Sequence, residues 1–219
     1  DGIRDLVRSR GLGDVYKRQV ALGGALDAEG YREVIGSILE ETEQLTRLVD
    51  DLLLLARGDA EPAPAGGRID LSALVLETAE ELRVLAEEKE QALELDLAAG
   101  VVVQVDRRDA ELAATNVIHN AIRYTPPGGR IDVQLAAGRG SAVIEVTDDG
   151  PGIVPAERER VFDRFYRIDK GRAESAGGTG LGLAIARRAI ERAGGSIGFV
   201  DPPPGRGARC RIVFPVAAG

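Results

Sequence analysis

An α+β fold is expected for this 219-residue chain: a mixed sheet covered on one face by helices, preceded by one long bundle helix. Two observations carry that expectation. The elements read in order give strands and helices together, with antiparallel hairpins closed by short Gly- and Pro-rich turns. Ahead of them, residues 28–57 carry a heptad pattern, which belongs to helices that pack along their length.

Residues 1–27 are expected to lie outside the native fold. Gly11 and Gly13 interrupt any bundle pattern, and GLGDVYKRQ at residues 11–19 resembles translated adapter sequence. From Ala28 to Arg57, Ile35, Ile38, Thr42, Leu45, Val49, Leu52 and Ala56 recur at alternating spacings of three and four. Val34, Leu48 and Leu55 widen this seam into a stripe that one helix cannot bury alone. GDAEPAPAGGR at residues 58–68 has linker composition. A catalytic-size domain then spans 69–216. Its elements are expected as a strand at Ile69–Leu71, a helix capped by Ser72 and running to Lys89, and strands at Ala92–Leu97 and Val101–Val105. A second long helix runs from Asp109 to Tyr124 and ends at Pro126-Pro127-Gly128-Gly129. Strands at Arg130–Ala137 and Ala142–Asp148 follow, then a short helix at Ala156–Arg160 and a loop at Ile168–Gly178. A last helix, Leu181–Arg192, precedes strands at Ser196–Val200 and Ala208–Phe214. On the first domain helix, Leu74, Thr78, Leu82 and Leu85 share the expected buried face.

Composition narrows the function classes. The formal charge of −8 leaves no basic footprint for nucleic acid. No apolar run approaches a membrane span and no signal peptide opens the chain, so this segment is expected to be cytoplasmic. One cysteine, Cys210, makes no internal disulfide and reads as a packed thiol in a strand. His119 is the only histidine, which leaves no cluster for a transition metal.

Three separated stretches carry the chemistry: NVIHNAIRYT at Asn116–Thr125, DDGPGI at Asp148–Ile153 and GGTGLGL at Gly177–Leu183. On a helix Asn116, Asn120 and Tyr124 share one face. In-line carboxamides are odd for a core helix, because asparagine is a weak helix former that needs partners when buried. The Asn120 oxygen is a hard, neutral donor suited to Mg²⁺. Asp148 follows Ala142, Ile144 and Val146 on one face of a strand, which carries a carboxylate toward the interior. Gly178, Gly180 and Gly182 stand where a loop enters a helix, a place where N–H groups and the macrodipole favour anions. Each stretch alone has a bland reading: local hydrogen bonds, a solvated turn, a hinge.

In this order and spacing the three stretches, with VFDRFYR at Val161–Arg167 between the second and third, resemble the ATP-binding boxes of bacterial sensor histidine kinases, members of the GHKL ATPase superfamily. The resemblance spans residues 28–215, and ETEQLTRLVDDLLLLAR at Glu41–Arg57 resembles the second helix of their dimerisation hairpin. It implies a Bergerat-type ATP-binding sandwich, with ATP and Mg²⁺ as cofactors. Asn120 would hold the metal, Arg123 would reach the phosphates and Tyr124 would pack beside the adenine. Asp148 would read the adenine amino group, with Gly150, Gly152 and Ile153 shaping the base pocket. Thr179, Gly180, Leu181 and Gly182, with Gly178, would receive phosphates. Lys170 and Arg172 would lie in an ATP lid, anchored at one end by Phe162 and Phe165, for which core packing is the alternative.

The superfamily's hydrolases place a water-activating Glu one turn before the metal Asn. Here that position is Asn116, which is no general base, so phosphoryl transfer to a protein group is favoured, with Asn116, Asn120 and Arg123 as its catalytic set. Two departures stand out. The acceptor histidine of such kinases precedes position 28, and no histidine lies upstream of His119. GARC at Gly207–Cys210 stands where relatives tend to have Gly-Thr-x-Phe, which removes a hydroxyl. The expected function is the ATP-binding catalytic fragment of a sensor histidine kinase. Its expected partners are a response-regulator receiver domain and a second copy through the hairpin helix, and the intact parent would be anchored in the inner membrane. The alternatives are a non-transferring ATP-binding module and an anti-sigma-type serine kinase.

Overall fold

The computed structural model describes residues 28–32, 34–36, 38–39, 42, 66–138, 140–168 and 179–216. The expected linker up to residue 65, the lid residues Lys170, Arg172 and Gly178, and the heptad positions from Leu45 onward lie outside them. The described residues between 28 and 42 are helical, and Thr42 Oγ1 donates to the Ile38 carbonyl at 2.7 Å. They fall in a different compact unit from the sheet domain.

In the sheet domain, β1 (Gly67–Asp70) pairs antiparallel with β3 (Val102–Val105) in a two-stranded sheet. Helix α1 (Leu71–Glu87) begins on Asp70, not on Ser72. The Asp70 carboxylate accepts from the Ser72 and Ala73 amides at 2.9 and 3.2 Å, and its charge also suits the positive helix end. Ser72 is thereby released for another task. Its hydroxyl donates to Ala98 O at 2.7 Å and accepts from Val101 N at 3.0 Å, tying down the turn between β2 (Ala92–Leu97) and β3. α1 buries Leu71, Leu74, Val75, Thr78, Ala79 and Ala86, a stripe at helical spacing. Leu82 is half-buried, while Leu85, expected on this face, is exposed.

Helix α2 (Arg107–Tyr124) starts two residues earlier than expected, because Asp106 caps it. Ala110, Ala113, Ala114, Val117, Ile118, Ala121 and Ile122 are buried. Alanine at four of these places lets α3 (Gly182–Arg192) approach, itself burying Ala184, Ala186 and Ala189. A half-buried pair, Arg192 Nε to Asp109 Oδ2 at 3.2 Å, locks the far ends of the two helices. Burial pushes the Asp109 carboxyl up despite the arginine.

The main sheet has strand order β2-β4-β5-β7-β6, with β4 (Arg130–Gly138), β5 (Ser141–Asp148), β6 (Ser196–Val200) and β7 (Arg209–Pro215). β2 runs parallel to β4 and the other pairs are antiparallel. One face packs Ile131, Val133, Ala142, Ile144, Ile212 and Phe214 into the same core as α1, α2 and α3. The other face is polar, with Glu145 paired to Arg209 and Arg211. The mixed sheet with helices on one face is therefore the architecture expected. In place of one helix at 156–160, two 3₁₀ turns form, Pro155–Glu157 and Arg160–Phe162. That geometry is usual for runs of three residues.

Candidate functional site

Helix α2 links the second and third motifs through its C-terminus and its middle. Near its middle, Asn116 donates from Nδ2 to Leu112 O at 2.8 Å. Its Oδ1 lies so close to Gly182 that a Cβ there would sit 2.7 Å away. At its C-terminus, a Cβ on Gly150 would lie 3.1 Å from the Tyr124 carbonyl oxygen. The side chains of Lys89 and Gln91 hold this end in place. Lys89 Nζ donates to Ile122 O and Arg123 O at 3.0 and 3.1 Å, and Gln91 Nε2 donates to Ile122 O and Thr125 O at 2.9 and 2.6 Å. These carbonyls are the orphans every helix end leaves. Burial, with Arg123 nearby, lowers the Lys89 pKa. Asn120 is half-buried between Asn116 and Tyr124 on their common face. Arg123 is half-buried, with its guanidinium 5.7 Å from the Tyr124 ring centre, and Tyr124 is exposed. His119 is exposed.

Asp148 ends β5 buried, at 8% exposure. Its Oδ1 accepts from Gly150 N at 2.8 Å and Ala208 N at 3.1 Å, which leaves Oδ2 for an incoming donor. Burial raises its pKa, against the pull of those two amides and of Arg206. Around it the backbone is packed too tightly for side chains. A Cβ on Gly207 would lie 2.1 Å from Gly150 O, and one on Gly152 would lie 2.7 Å from Gly207 O. Only glycine fits at these close approaches. Ala208 occupies the place where the sequence lacks a hydroxyl, and its amide rather than its side chain serves Asp148. Ile153 is half-buried.

The third motif enters α3 through Thr179, whose Oγ1 accepts from Leu181 N at 3.2 Å, and through buried Leu181. Unlike α1 and α2, α3 has no side-chain cap from its N-cap residue, Leu181, and the N–H groups of such a helix start are suited to anions. Gly180, at φ +70°, abuts the Phe165 backbone, and Phe165 N donates to Gly180 O at 2.9 Å. Phe162 packs in the core, its ring 5.6 Å from that of Phe199. Phe165 is 57% exposed, and its backbone, at φ 65°, makes the junction with Gly180. Sequence reasoning missed Lys89, Gln91 and Arg206, whose partners lie 31 to 76 residues away.

No group of three or more His, Cys, Asp or Glu side chains capable of holding a metal occurs among the described residues. A lone carboxamide at Asn120 nonetheless fits Mg²⁺, which keeps water and phosphate oxygens for most of its shell.

Residues 105–218 match the model of the family described as histidine kinase-, DNA gyrase B-, and HSP90-like ATPase. The chain belongs to this ATPase family. Among its relatives, sensor protein IrlS of Burkholderia pseudomallei is 37% identical over 201 residues, covering 91% of this chain and 43% of IrlS. The chain thus spans less than half the length of that relative. The solved structure of mycobacterial sensor histidine kinase MprB is 32% identical at TM-score 0.59, covering 68% of this chain and 97% of that one. A solved complex of histidine kinase ThkA with response regulator protein TrrA has TM-score 0.75 at 19% identity, covering 97% of this chain and 59% of that one, a likeness of fold.

In an ATPase-family domain of this geometry, Gly182→Ala is a sensitive probe. The added methyl meets only the end of the Asn116 side chain, which can rotate away, and alanine favours the helix by about 1 kcal/mol. The melting temperature is expected to move by no more than about 3 °C, while ATP affinity falls because Asn116 is displaced. Unchanged affinity in a calorimetric titration would remove Asn116 from the site.

Proposed function

We propose that this ATPase-family domain binds Mg-ATP between the Asn face of α2, the Asp148 turn and the uncapped start of α3. The adenine amino group donates to Asp148 Oδ2, Asn120 supplies a protein oxygen to Mg²⁺, and Arg123 reaches the phosphates. Tyr124 and Ile153 flank the base. The single observation that carries this reading is Asp148: a buried carboxylate with one oxygen taken by two amides and the other left for a donor.

The phosphoryl group goes to a protein histidine rather than to water. Asn116, one turn before Asn120, offers a carboxamide already committed to Leu112 O and cannot take a proton from water. Positioning and charge neutralisation suffice for the transfer: the bond from the γ-phosphorus to the bridging oxygen breaks, a bond to imidazole nitrogen forms, and ADP leaves. A response-regulator aspartate, the class of partner carried by ThkA, then takes the phosphoryl group. In the parent protein, the helix to which residues 28–42 belong pairs with a second copy, and a preceding region supplies the membrane anchor. Among the described residues no helix is long and apolar enough to cross a membrane.

Mixing this chain with a separate hairpin that bears the acceptor histidine and with γ-labelled ATP tests the reading. Acid-labile label on the hairpin is expected. Nucleotide bound without transfer would instead favour a regulatory ATP-binding module.

A further inference from the structure

Both amides that hold Asp148 hang from segments tied to a single guanidinium. Arg206 lies in the β6–β7 loop just after Pro202-Pro203-Pro204, three residues that have no N–H to donate. The loop is tied to the sheet by the Arg206 side chain and by main-chain bonds at Gly207 and Ala208, among them Asp148 N to Ala208 O at 3.0 Å. Its Nη2 donates to Arg130 O and Thr147 O, each at 3.1 Å, on neighbouring strands β4 and β5. Its Nη1 pairs with Asp132, and its Nε lies 2.7 Å from Asp149 Oδ1. The next two residues deliver the amides: Gly207 N donates to Asp148 O at 2.7 Å and Ala208 N to Asp148 Oδ1 at 3.1 Å. On the other side, Asp149 is fixed by Arg206 and by the Arg130 amide at 2.8 Å. The turn that brings Gly150 N to Asp148 Oδ1 starts there.

We propose that Arg206, with Asp149 as its partner, is a positioning residue for base recognition: its guanidinium holds both amide-bearing segments in place so that Oδ1 of Asp148 is occupied and Oδ2 is left to the base. The assignment rests on the reading of Asp148 as the adenine acceptor. A guanidinium suits the task because its planar fork donates to two carbonyls and the Asp132 carboxylate while its charge faces Asp149, which an ammonium cannot match. The groups around Asp148 are few. Arg206 and Asp149 come from the flanking loops, and the Cys210 thiol on β7 is kept protonated by burial. Asp132 and Arg130 of β4 stand one partner further out, and α2 meets the turn through the Tyr124 carbonyl.

The test is ATP binding by Arg206→Gln and wild-type chain across the range from about pH 5.5 to 8.5, read as the ratio of affinities so that ATP's own titration cancels. Losing Arg206 raises an already raised Asp148 pKa, so protonation should weaken the variant at a higher pH than the wild type. The ratio is expected to be no more than about twofold near pH 8 and to grow steadily toward the acid end of the range. A ratio that stays flat with pH marks a merely structural residue and overturns the proposal. Arg206→Lys keeps the charge without the fork and should recover the profile only in part; full recovery also overturns it. Should Arg206→Gln lack a melting transition, Arg206→Lys takes its place against wild type, with a smaller loss that grows toward acid expected and a ratio flat with pH overturning the proposal. Asp148→Asn in the same titration separates the two levels. Tight ATP binding by that variant overturns the adenine reading itself, whereas its loss beside a flat Arg206 ratio overturns only the role of Arg206.

Discussion

Asn120→Ala is expected to abolish the magnesium-dependent part of ATP binding. Mg²⁺ gives up its water reluctantly and takes few protein ligands, so a site with one carboxamide loses its only protein hold when that group goes. The loss in metal-supported affinity is expected to be roughly ten- to hundredfold. The fold gives no strong competing explanation, since alanine is favoured over asparagine inside a helix by about 0.5 kcal/mol, and Asn120 is only half-buried, at the margin of the buried stripe of α2. Titrating ATP with magnesium and again with chelator, in variant and wild type, checks the prediction. An equal gain from magnesium in both proteins would take the metal away from Asn120.

Asp148→Asn is expected to lose ATP while making the empty domain more stable. The asparagine Oδ1 can keep both amides that now reach Asp148, but an NH₂ group replaces Oδ2 and meets the adenine amino group donor to donor. A hydrogen bond to a charged acceptor is worth about 1.5–3 kcal/mol, which corresponds to a roughly ten- to hundredfold loss of ATP affinity. Inosine triphosphate carries an oxygen where adenine carries the amino group, so the variant should favour it over ATP. Stability moves the other way because the Asp148 pKa is raised by burial. A carboxyl whose folded pKa lies above its unfolded value costs nothing at low pH, where both states hold the proton. The cost grows as pH rises from the unfolded pKa, near 3.9, and is complete above the folded one. At neutral pH the variant should melt higher, and the gain should vanish in acid. A variant less stable than wild type at neutral pH would contradict the burial argument.

The two effects oppose each other for one physical reason. A carboxylate placed under a core-facing strand end is poorly solvated in the empty domain, and that is what makes it attractive to a purine donor. Arg206 and the Ala208 amide reduce the cost without removing it, as the residual upward shift shows.

Several elements were legible in local pattern. The strands at Ala92–Leu97 and Ser196–Val200 fall where the alternation places them, and the face shared by Asn116, Asn120 and Tyr124 follows from four-residue spacing on α2. Local pattern misled where two groups competed for one duty. Asp70 and Ser72 both suit a helix start, and only the closeness of Ala98 and Val101 shows that Ser72 is used elsewhere. At Phe165, where the family resemblance implies a lid anchor, the residue is exposed and its backbone bonds Gly180. The heptad seam beyond Thr42 and the loop bearing Lys170 lie outside the described residues.

Residue order alone was enough to name the chemistry, since periodicity and motif spacing act over a few turns of chain and survive in one dimension. It could not say that β2 lies parallel to β4 at a sheet edge, that Gly207 lies against Gly150, or that Arg206 reaches Asp132 across 74 positions. Those pairings are made by packing between segments far apart in the chain. An arginine in a proline-rich loop has the same local signature whether it faces water or holds a binding site in place.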